Sequence, residues 1–194
     1  MRLLFSTFFL FFCILTAQIK ADDIRDFQIE GISIGDSLLK FYTKEEIKIK
    51  KNDRNTFYYK DKKFVDVFFQ LNNKTYEWLQ ITIKPNDQKH KIYAIGGQID
   101  YIANMEKCYQ KMDTIFLDIK NNFNLKQFVR NQNSIHSYDK SGKSLVRYSR
   151  ATFDNGNINI ECYDWNEKLP YTDKLLVSVM SIEFRNFIDN EAYN

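Results

Sequence analysis

The sequence is short of the residues that make most chemistry recognisable. Two prolines, six glycines, three cysteines and two histidines are spread over 194 residues. His90 and His136 lie far apart with no ligand-type neighbours, so a zinc site lacks its set. No G-x-S-x-G turn, H-E-x-x-H helix or Asp-rich calcium loop occurs, which leaves serine-hydrolase, zinc-protease and EF-hand chemistry without a motif. Gly96-Gly97 is the one glycine pair, and no Lys-Ser or Lys-Thr follows it, so it does not read as a phosphate cradle. Inside an apolar strand it marks a bulge or a close backbone approach. The sequence therefore names no catalytic residue, no metal ligand and no cofactor.

Charge of one sign is missing as well. The chain has 28 Lys and Arg against 25 Asp and Glu. Removing residues 1–21 takes Arg2 and Lys20 and no acid, so the remainder carries a net charge of about +1. No basic field argues for nucleic acid. Long apolar runs are absent except at the start, where LLFSTFFLFFCIL follows Met1-Arg2. That run is shorter than the roughly 20 residues of a membrane span. With Ala17 and Ala21 after it, the pattern is a secretory signal peptide over 1–21, cut after one of those alanines. Contact with a membrane is then expected only through that segment before cleavage. Cys13 follows the bulky Phe12, and the apolar run continues past it, which argues against a lipidated cysteine. Residues 22–194 are expected to form one domain in the periplasm or outside the cell.

What is present is patterned. Met105, Cys108, Met112, Ile115, Ile119 and Phe123 recur at steps of three and four, which predicts an amphipathic helix over 104–123 with Asn104 as its cap. Ahead of it, Thr43 and Glu46 form a capping box, so two short helical pieces are expected over 37–42 and 44–48. Strands are expected over 56–59, 64–71, 76–83 and 91–99. Others are expected over 134–138, 143–153, 157–165 and 175–184, with a lead-in strand near Phe27 and Ile29 and a short turn over 125–129. Asn155-Gly156 is a hairpin turn, and the run 175–184 is apolar on both faces, as a central strand would be. Residues after Phe187 read as a polar tail. The fold class is α+β: a largely antiparallel, twisted sheet with one long helix on one face and short N-terminal helices. A closed β-barrel holding a ligand is the alternative.

Two constellations stand out. Cys108 lies on the helix's apolar stripe and Cys162 on the apolar side of a strand, so a disulfide between them is expected in an oxidising compartment. Tyr76 and Trp78 alternate with Leu79, Ile81 and Ile83, while Tyr163 and Trp165 alternate with Ile158, Ile160 and Cys162. If the aliphatic sets face the helix, those four aromatics form a surface for a sugar, a peptide or another subunit. The competing reading is a second small core beneath loops such as 166–174. Converging polar groups in a pocket would point to a hydrolase, an open aromatic face to binding, and a self-complementary apolar face to oligomers.

The signal followed by IEGISIGDSLLKFYTKEEI, the helix with EKCYQKM and the strand with NIECYDW resemble small uncharacterised exported proteins of AT-rich, Gram-negative marine bacteria. That resemblance implies a location and a fold rather than an activity. The functional expectation is a non-enzymatic exported module that binds an envelope protein or a small ligand. A disulfide-braced structural domain, in the form of a homo-oligomer, is the alternative, followed by a hydrolase with a dispersed site.

Overall fold

Helix and strand periods alternate along the chain in an ordered way. A helix, α1 (Lys44–Lys51), is followed by β1 (Phe57–Tyr58), β2 (Val65–Gln70), β3 (Trp78–Ile83) and β4 (Ile92–Asp100). A second helix, α2 (Met105–Asn122), is followed by β5 (Gln127–Ile135), β6 (Leu145–Phe153), β7 (Gly156–Asp164) and β8 (Lys174–Ser181), and α3 (Ile182–Asn190) is the last element among the described residues. The computed structural model describes residues 21–192; the signal segment expected over 1–21 lies outside them but for Ala21.

All eight strands form one open sheet in the order β1-β2-β3-β4-β8-β7-β6-β5, every neighbour antiparallel. The unit of one helix and a four-strand meander thus occurs twice. The two copies meet where their last strands, β4 and β8, pair from Ala94 opposite Met180 to Asp100 opposite Lys174. No sequence repeat announces this. The sheet ends in free edges at β1 and β5, so the barrel alternative is set aside.

α2 crosses one face. Asn104 caps it by accepting from the Lys107 amide at 3.3 Å, and its stripe buries Cys108, Met112, Phe116 and Ile119. They join a core with Ala151, Ile158, Ile160, Cys162, Val177 and Val179, each fully buried Val, Leu, Ile, Phe or Met contributing about 1.5–3 kcal/mol. The Cys108–Cys162 disulfide, with Cα atoms 6.1 Å apart, pins α2 to β7 through this interface. Thr43 and Glu46 form their reciprocal cap on α1, with amide bonds of 3.2 and 2.7 Å.

Three expectations need correcting. Residues 22–29 form no strand: Asp23 caps a short 3₁₀ turn, Ile24–Asp26, and Ile29 makes only an isolated bridge to Ile32. Residues 125–129 are not a separate turn, since Gln127 to Val129 pair with β6 as the start of β5. The apolar run after Ser181 is helix rather than strand or tail. Ser181 Oγ accepts from the Phe184 amide at 3.3 Å, and Phe184 and Phe187, three apart, turn to one side. They build a second core on the other face of the sheet, with Phe64, Tyr93 and Ala94.

A polar hollow on the sheet face away from α2

Strand pairing fixes which side chains share the second face. Across the sheet's middle, Gln80 stands beside Gly96, Gly96 beside Ser178, Ser178 beside Asn159, and Asn159 beside Arg150. In the next row Trp78 is followed by Gln98, Leu176, Glu161 and Tyr148. The even-numbered residues of β3, β8 and β6, and those of β4 from Ala94 on, face this side, and the odd-numbered residues of β7 join them. Most aliphatic residues of the same strands go to α2, with Leu176 an exception on the hollow's floor.

Two walls raise this floor into a hollow. On one side stands α3, presenting Arg185, Ile188 and Asp189 beside the Phe184–Phe187 core. On the other side two loops are tied together. Asp139 accepts from the Ser141 and Ser144 amides, both at 2.9 Å, and from Ser144 Oγ at 2.7 Å. Those bonds hold its carboxyl well below the usual carboxylate range. Ser144 Oγ in turn accepts from the Asn166 amide at 3.0 Å, and Asp173 accepts from the Trp165 amide at 2.7 Å. This framing packs His136 and Tyr171 against Trp165, with ring centres 4.4 and 4.5 Å away, and Tyr163 lies nearly parallel to Trp165 at 5.9 Å. The hollow, open on one side, has a volume of about 470 Å³, inside the roughly 300–1,000 Å³ typical of small-ligand sites.

Its floor is polar and incompletely satisfied. Asn157, Asn159 and Ser178 are buried, at 1, 5 and 5 % exposure, in the middle of the sheet. Asn159 Oδ1 accepts from Asn157 Nδ2 at 2.9 Å and from Arg150 Nε at 2.8 Å. Asn157 Oδ1, Ser178 Oγ and Trp165 Nε1 have no hydrogen-bond partner among the described residues. Unmet buried polar atoms are costly and uncommon in native folds, so three around one cavity mark it out.

The charges are arranged unusually too. Glu161 lies between Arg150 on β6 and Lys174 on β8, one step along the strands from each. None of the ion pairs among the described residues involves Glu161, Lys174 or Arg150. Tyr163 Oη donates to Glu161 at 3.1 Å, and Lys174 Nζ donates to Gln98 Oε1 at 3.2 Å. Burial pushes the Glu161 carboxyl upward, against the Tyr163 bond and the two cations. Burial pulls Lys174 downward, against Asp100 and Glu161. Deeper, behind the wall, the buried Asp66 accepts from Tyr59 Oη at 2.8 Å, Gln80 Nε2 at 2.7 Å and Thr82 Oγ1 at 2.6 Å, yet burial still raises its pKa.

The four aromatics expected to share a surface are divided. Tyr163 and Trp165 stand together at the rim of the hollow, with Tyr171 from the 166–174 loop over them. Trp78 faces the same side three strands from Glu161, roughly 14 Å at normal strand spacing, beside Lys50, Phe68 and Gln70. Tyr76 is on the opposite side, packed on the α2-face core. The reason is local: β3 starts at Trp78, and the amides of Thr75 and Tyr76 donate to Glu30 Oε1 at 2.9 and 3.2 Å, so strand alternation does not reach Tyr76. Burial and the nearby Glu30 raise its phenol to about 12.

Glu161, Lys174, Arg150, Asn157, Asn159 and Ser178 were not singled out by sequence reasoning. A signal existed in NINIECYDW, since asparagine is depleted from strand interiors and two occur here at the same phase. Among the described residues no group of three or more His, Cys, Asp or Glu side chains is placed to hold a metal ion, and no helix is long and apolar enough to cross a membrane. No protein-family model, curated protein or solved structure matches the chain, so what the hollow does has to be read from its own chemistry.

Proposed function

We propose that the chain is an exported, disulfide-braced binding module that holds a small polar ligand in the hollow between α3 and the Trp165 loops. The observation that carries this reading is the trio of unpartnered atoms, Asn157 Oδ1, Ser178 Oγ and Trp165 Nε1, around one cavity. The Cys108–Cys162 bridge fits an oxidising compartment outside the cytoplasm, which agrees with an N-terminal export segment.

Converging polar groups are also what a hydrolase would need, so the catalytic reading is weighed by geometry. Ser178 Oγ has no base within hydrogen-bond reach, which leaves it unactivated as a nucleophile. His136 Nδ1 accepts from the Tyr138 amide at 3.2 Å within its own loop. Self-association has its own observation, the free edge of β5 with Phe128 and Ile135 exposed. The register shift between Val129 and Gln132, where Asn131 turns its amide to Ser149 Oγ at 3.0 Å, breaks that edge as a template for a long ladder.

The test is a ligand-observed NMR screen of the oxidised protein against small polar metabolites, namely saccharides, amino acids, nucleosides and carboxylates. Gly96→Val serves as the blocked control, because its side chain would rise from the floor beside Leu176 and Ser178. Hits abolished by that substitution support the module. A screen in which no hit responds to it rules the hollow out as a binding site.

A further inference from the structure

Resting on the binding reading, the geometry points to the ligand class: we infer that the hollow takes a saccharide, whose hydroxyls bridge Glu161 to Arg150 and Lys174. Glu161 has a cation on either side, and neither is in an ion pair with it. Both cations are instead held toward neutral amides, Arg150 by Asn159 and Lys174 by Gln98. The floor therefore offers alternating charges separated by gaps.

A group that fills such a gap must accept from the cation and donate to the carboxylate. A hydroxyl does both through a single oxygen, whereas a carbonyl only accepts and an ammonium only donates. The unpartnered atoms make the same demand. Asn157 Oδ1 needs a donor, Trp165 Nε1 needs an acceptor and Ser178 Oγ serves either. A ligand carrying several hydroxyls meets all of these requirements with one kind of group.

Net charge narrows the class further. An anion would be drawn to Arg150 and Lys174 but would meet Glu161 between them, and a cation would face the reverse conflict. Arg185 on the α3 wall is neutralised by Asp189 at 3.4 Å. The neutral ligand this favours also needs an apolar side, and the rim supplies Tyr163 and Trp165 for the C–H face of a sugar ring. Gly96 adds no side chain to the floor beside Ser178, and the nearest atom to where its Cβ would stand is a Leu176 methyl.

Calorimetric titration of the oxidised protein with maltotriose, cellotriose and chitotriose tests this, with tri-alanine and inorganic phosphate as the competing chemistries. Saturable binding of at least one trisaccharide is expected. Glu161→Gln and Lys174→Met should each weaken it about tenfold or more, as loss of a hydrogen bond to a charged group does. Trp78→Ala should leave it unchanged. Hydrogen exchange on the wild-type protein provides a readout that needs no variant, with protection expected in β7 and β8. If tri-alanine or phosphate saturates the hollow and no trisaccharide does, the saccharide assignment is overturned while the binding reading stands. If none of the probes binds, the assignment is overturned, and the metabolite screen decides the binding reading separately.

Discussion

The ring of Tyr76 lies flat against Gly97, so close that a Cβ on that glycine would come within 2.5 Å of it. The glycine pair in β4 is thus a place of close approach, while the irregularity in the ladder falls at Ile92–Ala94 opposite Thr82 and Ile83. Gly97→Ala should cost about 1–3 kcal/mol, the range for overpacking a tight interior. Gly96→Ala should cost less, because its nearest neighbour is the terminal methyl of Leu176. Denaturant melts of the two variants give the comparison. Equal losses would contradict this account of Tyr76.

The disulfide is the second case. It closes 54 residues of chain, for which the loop-entropy relation gives roughly 4 kcal/mol. Replacing Cys108 and Cys162 together with Ala should lower the melting temperature, and the native protein should show no titratable thiol from this pair in denaturant. Finding two reactive thiols would remove the brace.

Asp66 carries a pH prediction with a definite sign. Its folded pKa is raised by burial above the ordinary 3.8. The stability its proton supplies is present in full below the unfolded pKa and is lost as pH rises through the folded value. Asp66→Asn, which never ionises, should therefore gain on the wild type as pH rises, with the advantage largest once wild-type Asp66 is ionised. It should shrink as pH falls toward the unfolded pKa. Asp66→Ala should instead be destabilised by roughly 1–3 kcal/mol, because Tyr59, Gln80 and Thr82 lose their common acceptor. Thermal melts of all three proteins from pH 4 to 8 would show the trend, and an advantage for Asn that grows toward acid would refute it.

The two tryptophans should behave differently. Trp165 is packed among His136, Tyr163 and Tyr171, so Trp165→Ala should lower stability by about 3 kcal/mol or more and loosen the rim. Trp78→Ala removes a ring well away from the hollow and should leave ligand binding intact. Parallel melts and titrations separate the two. Similar effects on binding would mean that one surface joins them after all.

For the proposed exported module, one backbone ladder bears on where the leader would be cut. The Ala21 amide donates to Asn122 O at 3.0 Å, and Ala21 O accepts from the Asn124 amide at 2.9 Å. A cut after Ala17 preserves both bonds and a cut after Ala21 removes them. On that proposal, intact-mass analysis is expected to find Gln18 at the start of the mature protein. A start at Asp22, or a retained Met1, would go against it.

The sequence was legible wherever one side of an element had to be buried. The α2 stripe, the Thr43–Glu46 box, the Asn155-Gly156 hairpin and the covalent partner of Cys108 all follow from periods and caps. Phe116 was missed because Ile115 occupies the neighbouring step, and the helix turns Phe116 inward instead. α3 was hidden because an apolar strand and an apolar helix look alike over 175–187, and only Ser181 marks the change. The hollow was illegible for another reason. Its floor residues come from five strands, β3, β4, β6, β7 and β8, and the meeting of β4 with β8 across most of the second half cannot be inferred from local pattern. Alternation could say that Glu161 and Lys174 avoid α2, but not that Arg150 stands diagonal to Glu161, across from Asn159.

The seam between β4 and β8 also makes this chain divisible. Each half has its own helix and meander, the covalent brace lies wholly within the second, and only the stretch between Asp100 and Met105 passes from one to the other. Cut there and expressed as two pieces, 22–102 and 103–194 should find each other through the Ala94–Asp100 ladder and the shared core, and neither should hold the hollow alone, since Gly96 lies in one piece and Ser178 in the other. Occupancy of the site would then act as a clasp between fragments, and reassembly would become tighter when the right ligand is supplied. A protein built this way can be turned into its own detector, with association of the two pieces as the signal.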